Sequence, residues 1–189
     1  MMASSLVASC NPSVTGREQS LTDLSYLKQS DPTEVDNSDL LVTQVEELHT
    51  TGSPPAIDID EYRLVIDGLV ATPLSLTYEE LLRYATIAEK VLLICPGLFV
   101  DNAVWTGVPL ETLLEEAGVH PDAFLIVFRG ADGYSKNIPY DYLKEAKVFL
   151  AYEVNGQVLA LEHGYPLRVV VEGKYGNIWV KWIARIEVM

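Results

Sequence analysis

The sequence has few of the residues that most metal sites, redox sites and disulfide scaffolds require. Among its 189 residues there are two cysteines and three histidines. Two cysteines are too few for a disulfide scaffold. The histidines, at positions 49, 120 and 163, are too scattered to indicate a zinc site built from several of them. No run of 18 apolar residues occurs, so the sequence predicts no membrane-spanning helix.

Several well-known cofactor and catalytic motifs are absent as well. The sequence contains no phosphate-binding GxxxxGKS/T, no GxGxxG after a strand, no HExxH, no CxxC, no CxxCH and no GxSxG. The common nucleotide-binding, zinc-protease, haem-attachment and serine-hydrolase motifs therefore give no support to those classes. Any chemistry has to come from a less common arrangement of residues.

Basic residues are scarce and unevenly distributed. Lys and Arg number 13 against 27 Asp and Glu, the formal net charge is −14, and residues 1–60 carry 10 of the acids but 2 of the bases. Such a surface argues against binding to nucleic acid or anionic lipid. An anionic cofactor would need a local basic cluster. Arg168, Lys174 and Lys181 are close in sequence and are candidates, either as phosphate-binding groups or as solvated surface charges.

Residues 1–50 are predicted to form a flexible, acidic N-terminal tail. Residues 1–23 are rich in Ser, Thr and Asn, and Ser38–His49 fits either a short helix or an irregular arm. Leu6–Cys10 resembles the cleavage box of a bacterial lipoprotein, in which the cysteine becomes the lipidated N-terminus. This favours an extracytoplasmic location over a cytoplasmic one, with membrane contact only through a lipid on Cys10. The alternative is an ordinary disordered tail.

Residues 51–189 are predicted to form one strand-rich, mixed α+β domain. Many short strands with small helices between them, and no regular β-α-β rhythm, indicate this class. Thr77 and Glu80 form a capping-box signature, and Asn155-Gly156 is a hairpin signal. The predicted strands are Tyr62–Gly68, Val91–Cys95, Phe124–Phe128, Val148–Val154, Leu167–Val171 and Trp179–Val188. The predicted helices are Leu76–Tyr84, Leu110–Ala117 and Tyr140–Ala146, with a turn at Trp105–Leu110 and a Gly-rich loop at Arg129–Tyr134.

Cys95 ends the apolar run of the segment VLLICPG. Pro96 cannot continue a strand ladder and Gly97 frees the backbone, so the strand is expected to stop at the cysteine. A thiol at the point where a strand leaves the core is placed to meet a ligand. The alternative is a small buried hydrophobe, since free cysteine is among the most buried residue types.

Eight segments resemble, in order and spacing, the molybdopterin-binding domain of the sulfite oxidase family of molybdenum oxidoreductases. They are YRLVIDGLV, LTYEELL, VLLICPG, WTGVPLETLL, GADGYSKNIP, LAYEVNGQVL, HGYPLRVVV and YGNIWVKWIARIEV. The resemblance extends from about residue 56 to residue 188. It implies the fold of that family and a molybdenum-molybdopterin cofactor, in a small single-domain member.

The resemblance also assigns roles to individual residues. The metal-binding thiolate of the family falls at Cys95, and a soft thiolate suits a high-valent metal that is otherwise held by pterin sulfurs and oxo groups. Tyr134 becomes a candidate catalytic residue in the pocket. The cofactor contacts that the resemblance implies are Thr50, Thr51, Asp132, His163, Arg168, Trp179, Val180 and Lys181.

Departures from the family pattern bear on the substrate. Pro96-Gly97 stands where the oxidases have an Asn-Arg pair, whose arginine attracts a small oxyanion, so sulfite is a poor expectation. Leu98, Phe99 and Trp105 are expected to make the pocket more apolar, which favours a sulfoxide-like or other neutral substrate. Ile178 stands where the family often has a second basic residue, so one anchor for the pterin phosphate is missing.

Two functions are compatible with these features. The first is an oxidoreductase that moves an oxygen atom or two electrons to or from a small substrate, with the cofactor carrying the chemistry. Its electrons would pass to or from a separate electron-transfer protein or a quinone. The second is a binding or scaffold module that keeps the fold without the cofactor, which the missing basic residues and the net charge favour. Molybdenum and pterin content of the purified protein separates the two.

Overall fold

The computed structural model describes residues 23–189, which form two β-sheets with little helix. Leu6–Cys10, on which the predicted lipidation depends, lies outside the described residues. The strands are β1 (Leu64–Gly68), β2 (Leu74–Leu76), β3 (Ile87–Cys95), β4 (Phe99–Pro109), β5 (Leu125–Gly130), β6 (Ser135–Pro139), β7 (Val148–Val154), β8 (Gln157–Val158), β9 (Arg168–Val171) and β10 (Ile183–Val188). The α-helices are α1 (Tyr78–Leu81) and α2 (Leu110–Ala117), and short 3-10 helices occur at Ser25–Leu27, Val45–Glu47, Tyr140–Lys144 and Leu161–His163. Within residues 23–189, no helix is long and apolar enough to cross a membrane.

The first sheet has the strand order β2-β1-β10-β5-β6. β1 and β10 pair in parallel, with Val65 opposite Arg185, and the other neighbours pair antiparallel. β5 and β6 form a hairpin whose turn carries Asp132. β10 starts directly after the segment 179–182, so this sheet supplies two loops to the same end of the molecule.

The second sheet is built on a long hairpin of β3 and β4, which closes with Cys95 opposite Phe99. β4 pairs with β7, and both β8 and β9 also pair with β7. The β7–β8 turn is Asn155-Gly156, with φ angles of 50° and 75°, the left-handed conformation that an Asn-Gly pair favours. Cys95 is the last residue of β3 and Arg168 is the first of β9.

One hydrophobic core joins the two sheets. Leu64 and Ile66 of β1, Phe128 of β5 and Phe149 of β7 are all fully buried in it. Helix α2 ends at Gly118, whose φ of 69° closes the helix in the left-handed conformation. Its buried face consists of Leu110, Leu113, Leu114 and Ala117. Burying each of the three leucines contributes about 1.5–3 kcal/mol, which fixes the short helix on the sheets.

The segment Val91–Ile94 of strand β3 is buried on both faces, which explains its unbroken apolar sequence. An antiparallel strand covered on one face alternates apolar and polar residues. Here Val91 and Leu93 enter the main core, whereas Leu92 and Ile94 enter a smaller cluster with Leu24. The face of β3 that points away from the main core is covered by the described part of the N-terminal arm, residues 23–50.

Hydrogen bonds hold this arm on β4. The amide of Thr43 donates to the carbonyl of Asn102 (2.7 Å), and the amide of Asn102 donates to Oγ1 of Thr43 (3.1 Å). The buried side chain of Asn102 donates to the carbonyls of Leu40 and Leu41 and accepts from Asn37. The arm is irregular apart from the short 3-10 helices given above, so the second of the two predicted conformations is present. Packed structure thus begins well before residue 51, the predicted start of the domain.

The predicted α+β class is confirmed, but four strands (β2, β4, β6 and β8) were missed and the last strand was predicted too long. The predicted turn at Trp105–Leu110 is wrong, because residues up to Pro109 continue β4. Residues 135–139, which form β6, were assigned to no element. The last strand starts at Ile183, not Trp179, because Trp182 adopts a φ of 54° that breaks the extended backbone.

Candidate functional site

A cleft of about 360 Å³ opens where β3 ends and contains Cys95. Its walls come from four segments that are distant in sequence: the end of the arm, the β3–β4 turn, the β5–β6 turn and the loop before β10. The other lining residues are Thr51, Gly52, Pro96, Leu98, Asp132, Tyr134, Gly176, Asn177, Trp179, Lys181 and Trp182. A small cavity of about 30 Å³ adjoins the cleft and shares Cys95 with it, and Arg168, His49 and Thr50 line this inner part.

The thiol of Cys95 is packed against a glycine. A Cβ on Gly176 would lie 2.5 Å from Sγ of Cys95 and 2.8 Å from Cδ1 of Leu93, so any side chain there would displace the thiol. Burial raises the pKa of the Cys95 thiol, and the nearby guanidinium of Arg168 opposes this rise. Within residues 23–189, no three His, Cys, Asp or Glu side chains are grouped so that they could hold a metal. A metal at Cys95 would therefore take its other ligands from outside those side chains.

Arg168 is a buried cation with unused hydrogen-bonding capacity. It is 5% exposed, its Nη1 donates to the carbonyl of His163 (3.1 Å), and its Nε has no partner. It makes no salt bridge within the described residues. Burial lowers the pKa of Arg168 to about 10, while Asp101 and Cys95 act in the opposite direction. Because an incompletely paired buried charge is costly, the site favours an added acceptor beside Arg168.

Two tryptophan rings make cation–π contacts with the guanidinium of Arg168. The guanidinium carbon of Arg168 lies 4.7 Å from the ring centroid of Trp105 and 5.6 Å from that of Trp179. Trp105 is 1% exposed and belongs to the core, so its predicted place in the pocket lining is wrong. Phe99 lines the inner cavity and Leu98, 65% exposed, lines the cleft, as expected from the sequence.

Lys181 joins the arm to the loop before β10. Its Nζ donates to the carbonyls of Thr51 and Glu162 and lies 4.3 Å from the ring centroid of Trp182. Burial is the main reason that the pKa of Lys181 falls to about 8, and the charge of Arg168 adds to it. Because its pKa is lowered, Lys181 loses its proton more readily than an ordinary lysine, whereas Arg168 keeps its charge.

The β5–β6 turn provides the remaining polar wall. Oδ1 of Asp132 accepts from the amide of Tyr134 (3.0 Å), and the hydroxyl of Tyr134 donates to the carbonyl of Asn177 (2.8 Å). Both residues line the cleft, as does Trp179, whose indole nitrogen donates to backbone carbonyls of Val171 and Lys174.

Two of the predicted contact residues line neither the cleft nor the inner cavity. His163 is buried behind Arg168, and burial lowers the pKa of its imidazole. The side chain of Val180 is in the core, its amide donates to Ile178 and its carbonyl accepts from Val169 (both 2.9 Å). The predicted cofactor contact at Val180 therefore disagrees with the structure, because neither its side chain nor its paired backbone faces the cleft.

The structure also brings in residues that the sequence did not single out. Asp101, 1% exposed, accepts hydrogen bonds from both the amide and the ring of His49. Gly176 and Trp182 complete the cleft around the thiol and Lys181. The one signal in the sequence was Asp101 itself, an acid inside the apolar run of β4, which indicates a buried charge with a partner.

The chain belongs to the oxidoreductase molybdopterin binding domain family. Its family model matches residues 51–189, and this confirms the resemblance described above. The family consists of oxidoreductases, and the two-sheet fold and all lining residues of the cleft at Cys95 lie within the matched residues.

The chain covers different shares of the length of its relatives. It is 32% identical over 149 residues to the uncharacterized oxidoreductase YuiH of Bacillus subtilis, covering 78% of this chain and 75% of that protein. It is 30% identical over 171 residues to the nitrate reductase [NADPH] of Phytophthora infestans, covering 72% of this chain but 18% of that protein. The sulfane dehydrogenase SoxCD from Paracoccus pantotrophus is a solved neighbour with a TM-score of 0.67 and 34% identity, covering 71% of this chain and 40% of that one.

Proposed function

We propose that this protein binds a molybdenum-molybdopterin cofactor and acts as an oxidoreductase on a small neutral substrate. The observation that carries the proposal is Arg168, a buried guanidinium with an orphaned Nε in the same cavity as the Cys95 thiol. In a chain with a net charge of −14, a buried, unpaired cation beside a free thiol fits a ligand that supplies both anionic oxygens and a thiophilic metal.

The residues around the cleft fit such a cofactor. Cys95 would supply the protein thiolate to the metal, and metal binding would deprotonate a thiol whose pKa is otherwise raised. Arg168 and Lys181 would hold the anionic part of the cofactor by charge-assisted hydrogen bonds. Thr50, Thr51, Asp132 and the ring of Trp179 would form the surrounding walls. When bound, the cofactor supplies two-electron or oxygen-atom transfer chemistry, and the protein orients it.

The lining of the cleft at Cys95 favours a neutral substrate. Pro96, Leu98 and Trp182 line it, and its one basic side chain, Lys181, is already held by two carbonyls. A small oxyanion such as sulfite would find no free cation there, whereas a sulfoxide-like oxide needs one hydrogen-bond donor and an apolar wall. The hydroxyl of Tyr134 is a candidate for that donor if it leaves Asn177. The similarity to a sulfane dehydrogenase supports a sulfur-centred substrate.

Electrons would pass between the cofactor and a separate electron-transfer protein or quinone. The chain has no haem-attachment motif of its own. We further propose an extracytoplasmic location with a lipid on Cys10, based on Leu6–Cys10. Mass spectrometry of the protein from its native cells tests this location, since an unmodified Cys10 in the mature chain would contradict it.

Metal analysis tests the main proposal directly. The protein is expressed in a host that makes the cofactor, and molybdenum and pterin are measured per chain. We expect about one of each in the wild type and close to none in Cys95→Ser, because a hydroxyl is a poor replacement for a soft thiolate. Cys10→Ser is the matched control and should retain both. Absence of molybdenum from the wild type, or equal content in Cys95→Ser, would contradict the proposal.

The alternative is a cofactor-free binding or scaffold module, and two observations favour it. Ile178 packs against the core at a position that is often basic in the family, and the ammonium of Lys181 is already bonded to backbone carbonyls. This alternative predicts a folded wild type that lacks molybdenum and pterin even when the host provides them.

A further inference from the structure

His49 fastens the end of the N-terminal arm to a buried carboxylate. Its amide donates to Oδ2 of Asp101 (3.0 Å), and its Nδ1 lies 2.8 Å from Oδ1. Asp101 is 1% exposed on β4 and accepts both contacts. With Asp101 ionised, both of its oxygens are acceptors, so Nδ1 would carry the proton and Nε2 is the ring nitrogen that remains for other partners.

The ring of His49 stands between two cavities. It stacks on Phe99 with the centroids 4.7 Å apart and the planes 7° from parallel. The stacked pair lines the inner cavity that contains Cys95 and Arg168, and also an outer cavity of about 200 Å³ under the arm. The side chain of His49 is 54% exposed, so water reaches the ring from outside.

Charged groups face His49 from each element around it. The inner cavity contributes Cys95, Arg168, Glu162 and Lys181, and the outer cavity contributes Asp23, Lys28 and Glu47. Asp101 is the group in hydrogen-bond contact, and burial raises the pKa of its carboxyl while the hydrogen bonds from His49 oppose that rise.

We propose that His49 is a proton-transfer residue of the Cys95 cleft and that Asp101 positions it. This inference rests on the proposed function. Reducing a neutral oxide breaks the bond to its oxygen, takes two electrons from the separate electron donor and two protons, and releases water. His49 gives one of these protons from Nε2 to the departing oxygen and regains it from water in the outer cavity. His49 acts in its imidazolium form: giving the Nε2 proton leaves the neutral ring protonated at Nδ1, which Asp101 holds, and the second proton comes from water.

The first test uses the protein without cofactor. Nitrogen-15 NMR of the imidazoles should show the Nδ1-protonated tautomer for neutral His49 in the wild type. In Asp101→Asn an amide donor replaces one carboxylate oxygen, so the preference of neutral His49 for the Nδ1-protonated tautomer should be lost. His120 is the matched control, because its Nδ1 lies 3.5 Å from Asp122 on the surface, and its signals should be the same in both proteins. A neutral His49 protonated at Nε2 in the wild type would overturn the proposal.

The second test uses the loaded enzyme with a sulfoxide and a reduced dye as electron donor. Turnover in His49→Gln should fall about 100-fold at unchanged molybdenum content, the range expected for loss of a general acid. Added imidazole should restore part of the turnover in His49→Ala. Asp101→Asn should also lower turnover, because Asp101 positions the ring of His49. His120→Gln should behave as wild type.

The outcomes separate this inference from the proposed function. A wild type without molybdenum contradicts the proposed function, and the NMR experiment still decides the tautomer. An active wild type whose His49→Gln variant keeps both its turnover and its pH profile overturns the inference alone. Loss of molybdenum from His49→Gln also overturns it, since His49 would then be an anchor for the cofactor.

Discussion

Two clefts of similar size differ in how their basic residues are paired. The cleft at Cys95 has a volume of about 360 Å³, and a second cleft of about 460 Å³ lies beside Lys147. In the second, Lys147 forms a 2.8 Å ion pair with Glu89, and Glu172 accepts from the amide of Lys147. In the cleft at Cys95 and the inner cavity that adjoins it, Arg168 and Lys181 make no salt bridge within residues 23–189, although the chain carries twice as many acids as bases.

The comparison shows that volume does not identify the binding site. An ion pair on the surface is already satisfied by its partner and by water, so a ligand gains little by displacing it. A buried guanidinium with an unpaired Nε has the opposite property, because an added acceptor removes a desolvation cost that the folded chain already carries. The smaller cleft is therefore the better candidate for an anionic ligand.

Replacing Arg168 should give the largest difference between the two clefts. In Arg168→Met, cofactor affinity should fall about 10-fold to 150-fold, because charge-assisted hydrogen bonds of about 1.5–3 kcal/mol are lost. The thermal stability of the cofactor-free protein should stay level or rise, since methionine removes an incompletely paired buried charge. Pterin retention after gel filtration and calorimetry measure the two effects. A large loss of stability without loss of cofactor would contradict the assignment.

Filling the space beside the thiol should have the next largest effect. In Gly176→Ala the new Cβ meets Sγ of Cys95 and Cδ1 of Leu93, so the protein should lose about 1–3 kcal/mol of stability and most of its molybdenum. Gly156→Ala is the control, because its Cβ meets nothing within 4 Å and its cost comes from the φ of 75° alone. Equal molybdenum content in the two variants would show that the packing of Gly176 does not position the thiol.

The pH dependence of Lys181 should distinguish it from a surface lysine. The pKa of Lys181 falls to about 8 in the folded protein, below its ordinary 10.5, so the unfolded chain binds more protons between these values. The stability of the cofactor-free protein should therefore rise with pH from about 8 to 10.5, and this rise should be smaller in Lys181→Ala. Binding of an anionic ligand should weaken over the same range. Urea unfolding at several pH values measures the difference, and identical curves would contradict the lowered pKa.

Lys147 should give the smallest effect and complete the comparison. In Lys147→Ala the ion pair with Glu89 is lost from an exposed site, so stability should fall by less than about 1 kcal/mol. Molybdenum content should match the wild type. If this variant lost molybdenum as Arg168→Met is expected to, the distinction between the two clefts would be wrong.

The sequence predicted the strands that have a simple hydrophobic pattern and missed those that do not. β7 was placed correctly because it is a short apolar run that ends at the Asn155-Gly156 turn, and α2 because its apolar residues follow the helical period. β4 was missed because Asp101, Asn102 and Thr106 interrupt its apolar residues. Two of these, Asp101 and Asn102, are buried, and their partners lie in the arm. A pattern read along one segment does not contain such a partner.

The sequence identified only part of the candidate site, for the same reason. Cys95 was visible at the end of an apolar run, and the resemblance to a family pointed to Arg168, Lys181 and Asp132. The sequence did not show that these residues line one cleft, and it did not indicate the lining residues Gly176 and Trp182. His163 and Trp105 could not be separated from lining residues by sequence, because both are buried behind Arg168.

By itself, the sequence determined the α+β class, the strand that ends at Cys95 and the shortage of basic residues that makes each buried cation informative. Only the tertiary structure decided which of those cations is unpaired and what surrounds the thiol. The contacts that decide it join residues far apart in the chain, such as His49 with Asp101 and Lys181 with Thr51. Burial and hydrogen-bond pairing depend on such distant neighbours, whereas hydrophobic period and turn chemistry are local.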